Sequence, residues 1–173
     1  MTERDFPTFD ETTAPGGARE LLAKTKQTFG GIPRPLGRYA SSPLALSSAL
    51  GGLDAFEHTS LTPLEREVLA MTMGRRNGCK FCLDLHTQLL RRQQAEPRLI
   101  AALTTGEPLE EPRLEALRRF VLALQDHHGD IPHQIWSDFR EMGYTHEQAL
   151  EVVLGVSTYT LTTLANRLTQ TSE

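Results

Sequence analysis

The two cysteines of this chain are three residues apart, in Asn77-Gly78-Cys79-Lys80-Phe81-Cys82-Leu83-Asp84-Leu85-His86, and a histidine follows the second by four. Three kinds of chemistry use such a set. Two thiols can cycle between dithiol and disulfide, two thiolates and an imidazole can form part of a zinc shell, or two small apolar side chains can be buried and inert. On a helix opening after Asn77-Gly78, Cys79, Cys82, Leu83, His86, Leu89 and Leu90 fall on one arc, and Lys80, Asp84, Thr87 and Arg91 on the other. Thiols and imidazole therefore face inward together, with Cys82 and His86 one turn apart. Both cysteines fall in or near the first turn, where unpaired N–H groups and the helix dipole favour thiolate, the reactive form.

The preceding segment adds a carboxylate. Glu67 lies on the arc of Leu64, Ala70, Met71 and Gly74, whereas Glu65, Thr72 and Arg76 take the opposite side. A carboxyl turned toward a core is either paired or functional, and desolvation moves it toward the range useful for proton transfer. Taken singly, Glu67 can equally pair with Arg75 or Arg38, and His86 can be a satisfied core histidine. A closed zinc site wants four ligands. The chain offers one cysteine pair and one placed histidine, so only Glu67 completes a Cys₂-His-Glu set. The cluster Asp126-His127-His128-Gly129-Asp130 sits at an expected helix C-terminus, where capping and dipole compensation explain it without a metal. Trp136, Phe139 and Met142 have the spacing of a core or interface face, and Arg118 and Arg119 that of a solvated or interfacial one.

The elements that position these residues read as all-α. Helical starts and stops recur, and alternating strand patterns are nearly absent. Helices are expected over 16–29, 44–58, 63–76, 79–93, 97–105, 112–128, 132–142 and from 145 to about 168. Gly31-Ile32-Pro33-Arg34-Pro35 reads as a linker, and Gly51-Gly52 as a point of interruption or bending. Thr62-Pro63-Leu64-Glu65 combines an N-cap, a first-turn proline and a capping-box glutamate, and Thr145 with Gln148 repeats the device. Residues 157–163 are rich in β-branched types. Even so, Ala149, Val152, Val153 and Val156 lead into them at helical spacing, which favours a core helix.

With 173 residues, 39% apolar and 23% charged, the chain has the composition of one ordinary globular domain. We expect a flexible N-terminal arm over 1–15 and a single helical domain over 16–173, its motif region at 61–92. A net charge of −4 gives no basic surface for nucleic acid or an anionic membrane, and neither partner is expected. No apolar run reaches the length of a membrane helix, and the first residues lack the order of a signal peptide, so the expected compartment is cytoplasmic. Thiols there are kept reduced, which favours a reactive or metal-binding pair over a structural staple.

Glu67, eleven intervening residues, Cys79, two, Cys82, three, and His86 together resemble the active-site signature of the AhpD-like alkylhydroperoxidases, within the carboxymuconolactone decarboxylase superfamily. The resemblance extends through Phe29-Gly30-Gly31-Ile32-Pro33, Ser42-Pro43, Leu61 to Glu67, Gly143-Tyr144 and Asn166-Arg167, and is most similar to the uncharacterised peroxidase-related branch. It implies an all-helical fold, homo-oligomers such as trimers or hexamers, and thiol-dependent reduction of organic hydroperoxides without haem or metal. It also implies roles. His86 helps deprotonate Cys82, whose thiolate attacks the peroxide; Cys79 resolves the sulfenic acid as a disulfide; Glu67 assists proton movement; and an external thiol, protein or small molecule, restores the dithiol. Well-studied members carry a histidine immediately before the second cysteine, where this chain has Phe81. Decarboxylases proper generally lack the cysteine pair, so lactone decarboxylation is not carried over. A general disulfide oxidoreductase, a redox-sensing binding protein and a zinc protein stay as alternatives.

Overall fold

Helix punctuation in the sequence becomes helix boundaries in the structure, a computed structural model that describes residues 6–169. Among the described residues there are nine helices and no strand: α1 Gly16–Phe29, α2 Arg34–Tyr39, α3 Pro43–Glu57, α4 Pro63–Arg76, α5 Lys80–Arg92, α6 Pro97–Thr105, α7 Pro112–Asp126, α8 His133–Glu141 and α9 His146–Leu168. The expected all-α class holds. Both capping boxes form, Thr62 with Glu65 and Thr145 with Gln148.

The structure corrects two of the boundary expectations. Arg34 and Pro35, assigned to a linker, open α2, since a proline in the first helical turn gives up an N–H that has no partner there anyway. The interruption at Gly51-Gly52 does not occur, and α3 runs unbroken. A Cβ on Gly52 would stand 2.8 Å from Thr158 Oγ1, so the glycine makes room for α9. Residues 157–163 are helical as expected. In that stretch Thr160 and Thr162 hydroxyls donate to the carbonyls one turn back, at 2.7 and 3.0 Å, which lets β-branched polar residues sit inside a buried helix.

Helix α4 is central. It packs against α5, α6, α7 and α9, and nine of its residues are buried, from Glu65 and Glu67 through Gly74. Its neighbours close around Val68, Leu69, Met71 and Met73 with Phe56, Leu90, Leu117, Phe120, Val121 and Val152, each fully buried apolar side chain contributing roughly 1.5–3 kcal/mol. A second, smaller core lies under α1, α2 and α3, formed by Ala18, Leu22, Leu36, Tyr39, Leu46 and Ala49. From the region expected as an arm, Phe9 N–H donates to Gly37 O at 3.0 Å and Ala14 is buried, while residues 1–5 lie outside the described residues.

A helix enclosed on every side has no single inward arc, and α4 departs from the wheel accordingly. Glu65 and Thr72, placed on the outer side by periodicity, are buried. Glu65 accepts from Thr62 N–H at 2.8 Å and from Arg113 Nε at 2.9 Å, so its charge is paired. Val153 departs the other way. It lies on the outer face of α9 with Leu150, Leu161, Leu164 and Leu168, all exposed, whereas Ala149, Val152 and Val156 are in the core.

Candidate active site

The site forms where α4 hands over to α5. Asn77 caps α4, Gly78 takes φ 63°, a left-handed value natural for glycine, and the chain re-enters a helix at Lys80 with Cys79 as N-cap. Gly74 lets the two helices close. A Cβ there would stand 3.3 Å from Cys82 Cβ. The turn is tied to α9, for Asn77 Nδ2 donates to Thr163 Oγ1 at 2.8 Å and Arg167 Nη1 donates to Asn77 O at 2.7 Å.

Cys79 and Cys82 are joined as a disulfide with Cα atoms 5.3 Å apart, and both are buried, at 1% and 4% exposure. The Cys82 N–H donates to Cys79 Sγ at 3.3 Å, so a sulfur takes the place of the usual capping oxygen. One turn further, His86 is buried and its Nδ1 lies 2.8 Å from Glu67 Oε2. The arc drawn from the sequence therefore holds for α5: Cys82, His86 and Leu90 are buried and Lys80, Asp84 and Arg91 are exposed. Glu67 takes His86 as its partner rather than Arg38 or Arg75; the Arg75 Nε instead donates to Thr105 O, at 3.3 Å. Tyr159 covers the imidazole edge-on with ring centres 5.4 Å apart. Burial, reinforced by the Glu67 carboxylate, pushes its phenol well above the ordinary range, so the ring stays neutral.

One residue in contact with the sulfurs had no role in the sequence reading. Asn166, on α9, directs Nδ2 at Cys82 Sγ at 3.4 Å and Cys79 Sγ at 3.7 Å, while its Oδ1 accepts from the Tyr39 hydroxyl at 2.5 Å. The only signal in the sequence was its place in the Asn166-Arg167 pair at the end of the resemblance.

Elsewhere, Asp126 pairs with Arg76 at 2.8 Å, and His128 and Gly129 take positive φ in closing α7. Phe139 stacks between Phe120 and Tyr144 in the core, and Trp136 packs against it from a partly exposed position. Arg118 and Arg119 pair with Glu115 and Asp138.

The all-helical arrangement that holds the buried CxxC pair beside a glutamate–histidine couple has the AhpD-like fold. Residues 44–123 match the model of the carboxymuconolactone decarboxylase family. The fold is shared with the alkylhydroperoxidase AhpD core of an uncharacterized peroxidase-related protein from Ralstonia eutropha JMP134. The two are 20% identical, with a TM-score of 0.78 over 94% of this chain and 87% of that one. An uncharacterized peroxidase-related protein from Silicibacter sp. TM1040 is also 20% identical, at a TM-score of 0.76 over 96% and 88%. The debrominase Bmp8, solved with 2,3,4-tribromopyrrole as a cysteine-to-alanine variant, is 14% identical and shares the fold at 0.74 over 95% and 89%. No curated protein matches the sequence. No helix among the described residues is long and apolar enough to cross a membrane.

Proposed function

We propose that the chain is a thiol-dependent peroxidase that reduces organic hydroperoxides through Cys79 and Cys82. The observation that carries this reading is the disulfide at the start of α5 with a buried Glu67–His86 couple one turn away. The disulfide is the oxidised end of such a cycle. In the reduced form, Cys82 thiolate attacks the outer peroxide oxygen; with one proton taken up, the products are Cys82 sulfenic acid and an alcohol. The Cys79 thiol then displaces water to form the disulfide. An external dithiol, or two monothiols, returns two electrons and two protons. Glu67 orients His86 through Nδ1 and balances positive charge on the ring, so that the imidazole can take and return the thiol proton.

Neither haem nor metal enters this scheme. Like subunits assembling into a trimer or hexamer, and a cytoplasmic setting with a thiol protein or small thiol as donor, belong to the same proposal. The leucines on the outer face of α9 support assembly, because Leu150, Leu154, Ser157, Leu161, Leu164 and Leu168 alternate steps of four and three, the seam of a helix pair.

The test adds one equivalent of alkyl hydroperoxide to reduced protein and follows thiols by mass spectrometry. Rapid loss of two hydrogens, abolished in Cys82→Ser, is expected. A pair inert to peroxide but quick to exchange with small disulfides would overturn the peroxidase in favour of a disulfide oxidoreductase.

A further inference from the structure

Asn166 reaches the site from α9, more than eighty residues away in sequence, and it is 5% exposed. A primary amide can present either oxygen or nitrogen to a neighbour, so its chemical effect depends on what fixes the flip. Here Tyr39 does. Tyr39 as a whole is 6% exposed, and burial raises the phenol well above the ordinary range, so its hydroxyl remains an O–H donor at every working pH. Two acceptors lie within reach, Thr162 O at 2.9 Å and Asn166 Oδ1 at 2.5 Å. Thr162 O is inside α9, where the helix ladder already serves it, so the amide oxygen is the acceptor that needs the proton. With Oδ1 committed to Tyr39, the NH₂ group must face the sulfurs.

We propose that Asn166 is a catalytic residue of the dithiol centre, its amide donating to the Cys82 sulfur and stabilising the thiolate, with Tyr39 as the positioning residue that fixes the amide. The proposal rests on reading the cysteine pair as redox-active. Burial at 4% exposure works against a thiolate on Cys82, and a hydrogen bond made to the charged form offsets that cost. The nearer contact is to Cys82 rather than Cys79, which favours Cys82 as the nucleophile toward peroxide. The same donor makes Cys82 the better leaving group when the disulfide is reduced. Tyr39 belongs to the smaller core, so the α1–α3 layer takes part in the chemistry through Asn166.

The experiment titrates Cys82 in fully reduced, full-length protein by its rate of alkylation with iodoacetamide against pH, each cysteine resolved by peptide mass. In Asn166→Ala the pH midpoint for Cys82 is expected to rise by about one unit, a tenfold loss of thiolate at fixed pH below it. Tyr39→Phe, which keeps the ring in its core, moves the midpoint the same way by a smaller amount. Thr163→Val loosens the neighbouring tie to Asn77 without touching a sulfur, and its midpoint is expected to stay at the wild-type value. Unchanged midpoints in both Asn166→Ala and Tyr39→Phe overturn the proposal, as does an equal rise in Thr163→Val, which would make the effect one of packing. If Asn166→Ala fails to fold, Tyr39→Phe alone decides. No peroxide is used, so a wild-type protein inert to hydroperoxide but showing these shifts refutes the peroxidase and leaves the role of Asn166 standing; brisk peroxide reduction with unshifted midpoints refutes only the latter.

Discussion

Replacing Glu67 by glutamine isolates the charge of the buried couple from its shape. The side chains of Glu67 and His86 are 10% and 8% exposed and meet at 2.8 Å, so their hydrogen bond is little screened by water. A bond to a charged group contributes about 1.5–3 kcal/mol and one between neutral groups about 0.5–1.5 kcal/mol; the glutamine keeps the second and loses the first. The expected loss of stability is therefore roughly 1–2 kcal/mol, and for a chain of this length a thermal midpoint lower by about 2–8 °C. The chemistry should suffer more than the fold. General acid–base assistance contributes about 10²- to 10⁴-fold, and a neutral amide can still orient the ring but no longer balances its positive charge, so a fall of roughly 10- to 100-fold is expected in the second-order rate with alkyl hydroperoxide. Stopped-flow oxidation of reduced protein reads that rate, and calorimetry reads the midpoint. A Glu67→Gln protein that melts a few degrees lower yet reacts within twofold of wild type would refute the relay and leave Glu67 as a packing partner of His86.

Three further outcomes follow from other parts of the molecule. Burial pushes the Glu65 carboxyl up, but the hydrogen bonds it accepts, led by Thr62 N–H, outweigh that and hold it below the ordinary carboxylate range. Its contribution is then complete above the unfolded-state value and is lost as pH falls through the folded one, so Glu65→Gln should flatten the acid limb of thermal midpoint against pH; an unchanged slope contradicts this. Gly155→Ala puts a methyl onto the Phe56 ring and 2.8 Å from Leu69 Cδ1, and despite better helix propensity it should cost about 1–3 kcal/mol in denaturant unfolding. Leu164→Glu with Leu168→Glu, both on the exposed face of α9, should lower the mass found by light scattering toward that of one chain if that face joins subunits; a mass unchanged from wild type would place the interface elsewhere.

The sequence was most legible where chemistry and local structure coincide. Capping boxes, prolines and Asn77-Gly78 mark helix ends by backbone rules that hold within a few residues, and the α5 arc follows from one periodicity. Because only one side of α5 is buried, that arc picked out Cys82 and His86 correctly. The same method misplaced Glu65, since α4 is covered all round and a wheel presumes a wet side. α2 was hidden by the prolines on either side of its first residue, which suit a linker as well as a helix start. Asn166 was beyond reach for a different reason. A polar residue near the end of a long helix looks solvated, and only the crossing of α9 over the Cys79 turn gives its amide two sulfurs and a phenol to bond.

Because Cys79 Sγ receives the Cys82 N–H, α5 begins on an atom whose chemical identity changes with the electron count of the pair. A thiolate is a full-charge acceptor at a helix N-terminus, whereas a disulfide sulfur is neutral and weak, and the difference falls within the roughly 0.5–2 kcal/mol range of capping effects. Where Cys79 is ionised, as it becomes on attacking the Cys82 sulfenic acid, the cap is stronger than in the disulfide, so joining the sulfurs loosens the first turn of the helix that carries His86. Backbone hydrogen exchange at the Cys82 amide becomes a gauge of redox state, slow when Cys79 is ionised and faster once the sulfurs are joined.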